Sequence, residues 1–200
     1  MNIFFDLDGT LIDSKDRLYQ LFQHLVPQSG LTYDKYWQLK QNKISHKQIL
    51  AGQFNYTNEE FATFEANWMA RIELKEWLAL DKPFNGVGAY LKKLAKQHTL
   101  YLVTSRQSEE NTLKQITGYG WTPLFKQLLV TKQKIEKAEL LKEIEIDAND
   151  WFVGDTGKDI QTGKKLGIKT AAVLSGFLNK EKLGEYKPDV IEFNVTDIKF

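Results

Sequence analysis

The sequence predicts an α/β protein: a parallel-sheet core interrupted by an all-helical insert. Three observations predict it. A short apolar run, Ile3-Phe4-Phe5, opens the chain and reads as a buried strand. From residue 83 onward, short apolar strands alternate with helical patterns, which favours parallel strands covered on both faces. Between residues 14 and 82, no good strand pattern occurs and the apolar spacing is helical.

Ile3-Phe4-Phe5 ends in Asp6-Leu7-Asp8-Gly9-Thr10, a strand followed by a turn. Leu18, Leu21, Phe22 and Leu25 fall at i, i+3, i+4 and i+7, one face of a helix that Pro27 and Gly30 close. Tyr33, Tyr36 and Trp37 suggest a second, short helix. Thr57 and Glu60 form a candidate capping box, and Phe61, Phe64, Trp68 and Ile72 continue a long amphipathic pattern. After Pro83, a helix over 84–94 precedes a strand over 100–103 that ends in Thr104-Ser105-Arg106. Ser108 is placed to cap a helix that stops near Gly118. A strand over 128–130, a helix over 135–145 and a strand over 151–153 follow. The last of these ends in Gly154-Asp155. A helix over 158–166 stops at Gly167, and strands over 170–174 and 190–193 complete the set.

Composition narrows the function classes. The chain has 200 residues, 42% apolar and 26% charged, as a folded protein with a sizeable core requires. A net charge of +1 gives no large field of one sign, so neither nucleic acid nor an anionic membrane is expected as partner. Cysteine is absent, which excludes thiol catalysis and cysteine-ligated zinc. No apolar run approaches a bilayer-spanning length, and the N-terminus lacks the pattern of a signal peptide. A cytoplasmic protein, monomer or homodimer, is expected.

Three predicted strands end at their carboxyl side in groups able to handle phosphate or metal: Asp6/Asp8, Thr104/Ser105 and Asp155. Ligands of open parallel α/β sheets bind outside that edge. Two carboxylates spaced i, i+2 on a strand point the same way and repel unless a cation or proton intervenes. A hard divalent cation such as Mg²⁺ takes oxygen ligands. One carboxylate can bind it and attack phosphorus; the other can shuttle a proton to the leaving alkoxide. Asp155 can complete the metal shell, with Asp159 one helical turn on. The plainer readings are an acidic surface turn, helix N-terminal acids stabilised by the macrodipole, and an ordinary loop with a solvated Arg106. A cation is also needed beside the phosphoryl group, and Lys132, Lys134 and Lys137 all lie after the third strand.

Phe4-Phe5-Asp6-Leu7-Asp8-Gly9-Thr10-Leu11-Ile12-Asp13-Ser14 resembles the first motif of the haloacid dehalogenase-like (HAD) superfamily. Leu102-Val103-Thr104-Ser105 is similar to its second motif and Gly154-Asp155-Thr156-Gly157-Lys158-Asp159 to its fourth. Pro188-Asp189-Val190-Ile191 resembles the last strand of these proteins. The resemblance implies a HAD-like Rossmannoid core, residues 1–13 and 83–200, with a helical cap domain over 14–82. It implies a Mg²⁺-dependent phosphatase acting on a small phosphorylated metabolite through an aspartyl-phosphate. Asp6 would be the nucleophile and a metal ligand. Asp8 would be the general acid/base, with its backbone carbonyl on the metal. Thr104 and Ser105 would bind the phosphoryl group. Asp155 would bind Mg²⁺ and Asp159 would support the metal site. Lys137-Ala138-Glu139-Leu140-Leu141 looks like the family's Lys-x-x-x-Leu form of the third motif, which favours Lys137 over Lys134 as the phosphate-binding lysine.

Asp8 also bears on reaction type. Relatives that cleave carbon–halogen bonds generally lack this acid, since halide leaves without a proton. A phosphomutase remains a rival on the same core, as does a binding protein that keeps the fold without turnover. Trp37, Phe64 and Trp68 are expected to be core of the insert rather than substrate contacts, and His24 and His46 to be surface or packing residues.

Overall fold

The structure is a computed structural model that describes residues 1–200. Strand β1 (Asn2–Phe5) begins the chain. A two-residue strand, β2 (Ile12–Asp13), leads into five helices: α1 (Lys15–Leu25), α2 (Tyr33–Gln41), α3 (His46–Phe54), α4 (Asn58–Arg71) and α5 (Lys75–Leu78). The chain returns through β3 (Lys82–Pro83). Strands β2 and β3 pair antiparallel, Ile12 opposite Pro83, so a small ribbon joins the two ends of the helical section. Alternation follows: α6 (Val87–Leu94), β4 (Thr99–Thr104), α7 (Glu109–Gly118), β5 (Gln127–Val130), α8 (Lys137–Leu140), β6 (Trp151–Gly154), α9 (Gly157–Lys165), β7 (Lys169–Val173), α10 (Lys180–Gly184) and β8 (Val190–Glu192).

Six strands form one parallel sheet in the order β5-β4-β1-β6-β7-β8. The expected α/β class with a parallel sheet is therefore correct. Order reverses at β1, which sits between β4 and β6. Ligands of such sheets bind at this switch point, beyond the strands' carboxyl ends. The two-residue side-chain period explains the apolar β1. Ile3 and Phe5 enter one core cluster with Leu102 and Val153, while Phe4 enters a second with Tyr101 and Phe152.

The helical section has its own cluster, centred on Phe22, Tyr36, Trp37, Ile49 and Phe64. Thr57 and Glu60 form the anticipated capping box at α4, Thr57 Oγ1 accepting from Glu60 N at 3.2 Å. Helix α3 was not anticipated, because its apolar residues do not line one face well. Its signal was the Ser45-x-x-Gln48 capping box, which the structure forms. The expected helix over 135–145 is a correction: only Lys137–Leu140 is helical. Leu141, Ile144 and Ile146 all reach the cluster around Phe4, and their spacing of three then two does not fit one helix face.

Candidate active site

Backbone pairing of β1 with β6 continues one residue past the strand, Asp6 N donating to Val153 O at 2.9 Å. This fixes Asp6 at the switch point, 6% exposed. Asp155 follows β6, and Asp159 stands in the first turn of α9, where it closes a capping box. Asp159 Oδ2 accepts from Thr156 N at 3.1 Å and from Thr156 Oγ1 at 2.6 Å. Asp6, Asp155 and Asp159 are all buried, each offering a carboxylate oxygen within 4.8 Å of the others. Gly9 makes the approach possible. Its φ is +84°, and a Cβ there would lie 2.4 Å from Asp155 Oδ2.

The Lys137 ammonium enters this cluster from α8. It donates to Asp6 Oδ1 and, at 2.6 Å, to Asp159 Oδ1. Lys132 instead pairs with Glu109 at the surface, 3.0 Å apart, and Lys134 is exposed without an ion pair. Three carboxylates against one ammonium leave two negative charges uncompensated in a buried space. Burial above all, opposed by Lys137 and reinforced by Asp159, pushes the Asp6 carboxyl up to about 7. Burial, followed by Asp6 and Asp159, raises Asp155 well above the carboxylate range. An all-oxygen donor set with a deficit of two positive charges fits a hard divalent cation.

Asp8 lies elsewhere. Its carboxylate is outside the triad and is gripped by two arginines. Arg106 Nε and Nη2 donate to it at 2.8 and 2.9 Å, and Arg17 Nη2 donates to Oδ1. Burial opposes its charge, but Arg106 and Arg17 hold the carboxyl well below the usual range. Both guanidinium groups also bind the fully buried Asp81, at 2.9 Å from Arg17 Nε and 3.0 Å from Arg106 Nη2. Arg106 is 3% exposed, so the expectation of a solvated loop arginine is corrected. Glu73, between α4 and α5, accepts from Gln107 N and Ser108 N at 2.7 and 2.8 Å. Arg17, Glu73, Asp81 and Arg106 were all missed as site residues. Nothing in the local pattern marked them, because Arg17 and Asp81 meet only through folding.

Thr104 is 1% exposed at the end of β4, where its carbonyl accepts from Thr131 N at 3.0 Å. Ser105 is exposed, and its carbonyl accepts from Gln133 Nε2. All seven predicted site residues, Asp6, Asp8, Thr104, Ser105, Lys137, Asp155 and Asp159, line one cavity of about 1060 Å³. Its far wall comes from the helical section, including Trp37, Lys40, His46 and Trp68. His46 is packed against Phe22, Phe64 and Trp68 and bonds the Tyr36 hydroxyl at 2.8 Å. Trp37 stacks on Phe177 at 5.6 Å, and Phe177 N donates to Asp155 Oδ2 at 2.7 Å. The helical wall is thereby packed directly on a segment that holds a carboxylate of the triad.

Fold and site together define an α/β protein with a cluster of buried acids at the strand ends of a parallel sheet. The chain belongs to the haloacid dehalogenase-like hydrolase family, whose model matches residues 3–173. A phosphoglycolate phosphatase of Aquifex aeolicus is 26% identical, across 98% of this chain and 93% of the relative. A pyrophosphatase PpaX of Halalkalibacterium halodurans is 22% identical, across 98% and 94%. The solved structure of a haloacid dehalogenase-like family hydrolase from Streptococcus pneumoniae shares the fold at a TM-score of 0.74 with 19% identity, covering 98% and 95% of the two chains. No helix of the protein is long and apolar enough to cross a membrane.

Proposed function

We propose that this phosphatase of the HAD type hydrolyses small phosphomonoesters with Mg²⁺, through a phosphorylated Asp6. The observation that carries the reading is the Asp6–Asp155–Asp159 cluster, compensated only by Lys137. Asp6, Asp155, Asp159 and the Asp8 backbone carbonyl would hold Mg²⁺, which supplies charge to the phosphoryl oxygens and lowers their repulsion for an attacking carboxylate. Residues 1–13 and 83–200 serve as the core, and residues 14–82 serve as a cap that shuts out water and surrounds the leaving group.

The residues divide the work as follows. An Asp6 carboxylate oxygen forms a bond to phosphorus as the bond from phosphorus to the ester oxygen breaks. Asp8 gives its proton to that departing oxygen. Asp8 then takes a proton from water, whose oxygen attacks phosphorus, breaks its bond to Asp6 and releases inorganic phosphate. Lys137, Thr104 and Ser105 hold the phosphoryl oxygens. In the arrangement seen here, Arg17 and Arg106 keep Asp8 ionised, so donation requires that grip to loosen. Asp8→Asn is expected to lower kcat/KM for alkyl phosphates about 10²–10⁴-fold. The loss for p-nitrophenyl phosphate should be clearly smaller, since that leaving group barely needs a proton. Equal losses on both substrates would remove Asp8 from the proton path.

Metal binding has a readout besides turnover. A carboxyl raised from 3.8 to about 7 holds its proton in the folded chain at pH values where the unfolded chain has released it. Metal-free stability is therefore fully present below about pH 4 for this group and is lost as pH rises through 7. Asp155, also raised, acts in the same direction. The metal-free protein should melt at lower temperature at pH 8 than at pH 5.5. Mg²⁺ should raise Tm by several degrees at pH 8 and less at pH 5.5. A Tm at pH 8 indifferent to millimolar Mg²⁺ counts against the triad as a metal site. The test of function itself is phosphate release from a panel of phosphoesters with Mg²⁺, using EDTA as control. Metal-independent release, or none across the panel, overturns the reading. A stable phosphosugar product in place of free phosphate would identify a mutase.

A further inference from the structure

The helical section meets the core along two different seams. One is charged and buried: Arg17 and Asp81 interlock with Arg106 and Asp8, and Glu73 accepts from Gln107 N and Ser108 N. The chain itself crosses here, through the β2–β3 ribbon. The other seam joins the end of α2 to residues 177–186, which follow β7. Trp37 stacks on Phe177 with ring centres 5.6 Å apart and 13° between planes. Asn179 N donates to the Gln41 carbonyl and Asn179 Nδ2 to Asn42 Oδ1, both at 3.1 Å. Lys43 Nζ stands 5.0 Å from the centre of the Tyr186 ring. No ion pair crosses this seam. Ring stacking and cation–π contacts are individually weaker than the breaking of a buried ion pair, so the α2 seam is the one that parts while the other holds.

The segment under α2 also backs two acids of the cluster. Phe177 N donates to Asp155 Oδ2 at 2.7 Å, whereas Asp155 Oδ1 has only the longer bond from Thr10 Oγ1, at 3.4 Å. Gly176 is packed on the same carboxylate, since a Cβ there would lie 1.9 Å from Asp155 Oδ2. Tyr186 covers Gly157, where a Cβ would fall 2.0 Å from the ring Cζ, and Asp159 stands two residues on in the same turn of α9. Packing this close transmits displacement, so the segment does not shift without shifting the carboxylate it bonds. A hydrogen bond to a ligating carboxylate fixes its orientation, and its loss typically weakens metal binding about 10–100-fold.

We propose that Phe177 is a positioning residue that couples docking of α2 to the affinity of the acidic cluster for a divalent cation. The inference rests on the reading of Asp6, Asp155 and Asp159 as a metal site. With α2 docked, the Trp37 ring holds Phe177 in place and the Phe177 N–H orients Asp155. With α2 released, Asp155 loses that restraint and cation affinity falls. Coupling between two binding events is reciprocal, so an occupied cluster tightens the α2 seam by the same factor. Closing of this wall and loading of the metal site then occur together.

The test reads Mg²⁺ affinity by calorimetry and hydrogen exchange by mass spectrometry, both without substrate. Phe177→Leu keeps the backbone N–H but removes the ring, and should weaken Mg²⁺ binding about tenfold. Phe177→Tyr keeps the stack and should bind like the parent. Asn42→Ala with Lys43→Gln, both at exposed positions, loosens the seam from the α2 side and should weaken Mg²⁺ binding severalfold without touching the acids. In the parent, Mg²⁺ should slow exchange of the Asn179 amide, whose partner is the Gln41 carbonyl, and of the amides at the end of α2. Amides of α4 serve as control, and the slowing should be lost in Phe177→Leu. Parent-like Mg²⁺ affinity in Phe177→Leu overturns the inference. So does an α2 seam whose exchange is indifferent to bound Mg²⁺. A loss confined to Phe177→Leu, with the double variant binding like the parent, reduces Phe177 to a local support of Asp155 and overturns the coupling. Each of these results leaves the metal site standing, whereas a parent that binds no Mg²⁺ overturns both readings.

Discussion

Asp6→Asn is expected to abolish turnover, lowering kcat by about four orders of magnitude or more, with the fold retained. The amide is nearly isosteric with the carboxylate but does not attack phosphorus. In the proposed reading Asp6 makes that attack, because it directly follows β1 at the point where strand order reverses. Its backbone is bonded to Val153, and its side chain is bonded to Lys137. The substitution removes one of three crowded carboxylates, so the metal-free variant should melt no lower than the parent. Phosphate release with p-nitrophenyl phosphate, read alongside Tm, checks both halves. Retention of more than about a tenth of the activity in a well-folded variant would refute Asp6 as nucleophile.

Lys137→Met is expected to remove activity and stability together. The ammonium is 6% exposed and is the one ion-pair partner of Asp6 and Asp159. Burial disfavours its charge, but Asp159 and Asp6 more than compensate and raise its pKa. Breaking a buried pair by removing one partner costs about 3–5 kcal/mol, because the remaining charge is left uncompensated. For a chain of this size that is on the order of ten degrees in Tm without metal. Mg²⁺ should restore part of the stability and little of the turnover, since it neutralises the acids without replacing the donor to the phosphoryl oxygens. Lys134→Met, at an exposed position without an ion pair, should melt within about a degree of the parent. A Lys137→Met protein that melts and turns over like the parent would contradict the placement of its side chain.

Much of the core was legible because its signals are local. Ile3-Phe4-Phe5, Leu100 to Val103 and Trp151-Phe152-Val153 are apolar on both faces, as strands buried on both sides must be. The acids that follow them were legible for the same reason, since a strand end is visible as a change from apolar to polar residues. Short elements were not. The ribbon of Ile12–Asp13 with Lys82–Pro83 has no period to detect, and its pairing depends on residues about 70 positions apart. Helix α3 buries only Ile49 and Leu50, too few to draw a stripe.

The sequence by itself determined the α/β class, the six strands of the sheet, the helical stretch after β1, and the candidate acids and hydroxyls of the site. Each of these follows from residue type and spacing along a few neighbouring positions. Only the tertiary structure decided which lysine meets the acids. Periodicity does not separate Lys132, Lys134 and Lys137, and only the resemblance of the Lys137 segment to a family motif favoured it; the single turn of α8 carries just Lys137 to Asp6 and Asp159. The tertiary structure likewise decided what surrounds Asp8. Arg17 and Asp81 stand 64 positions apart and Arg106 and Asp8 stand 98 apart, so no local pattern could announce a cluster that exists only when the helical section is packed on the sheet. The physical reason is the same in both cases. Strands and helices are written in periodicity, whereas a buried charge finds its partner through the global path of the chain.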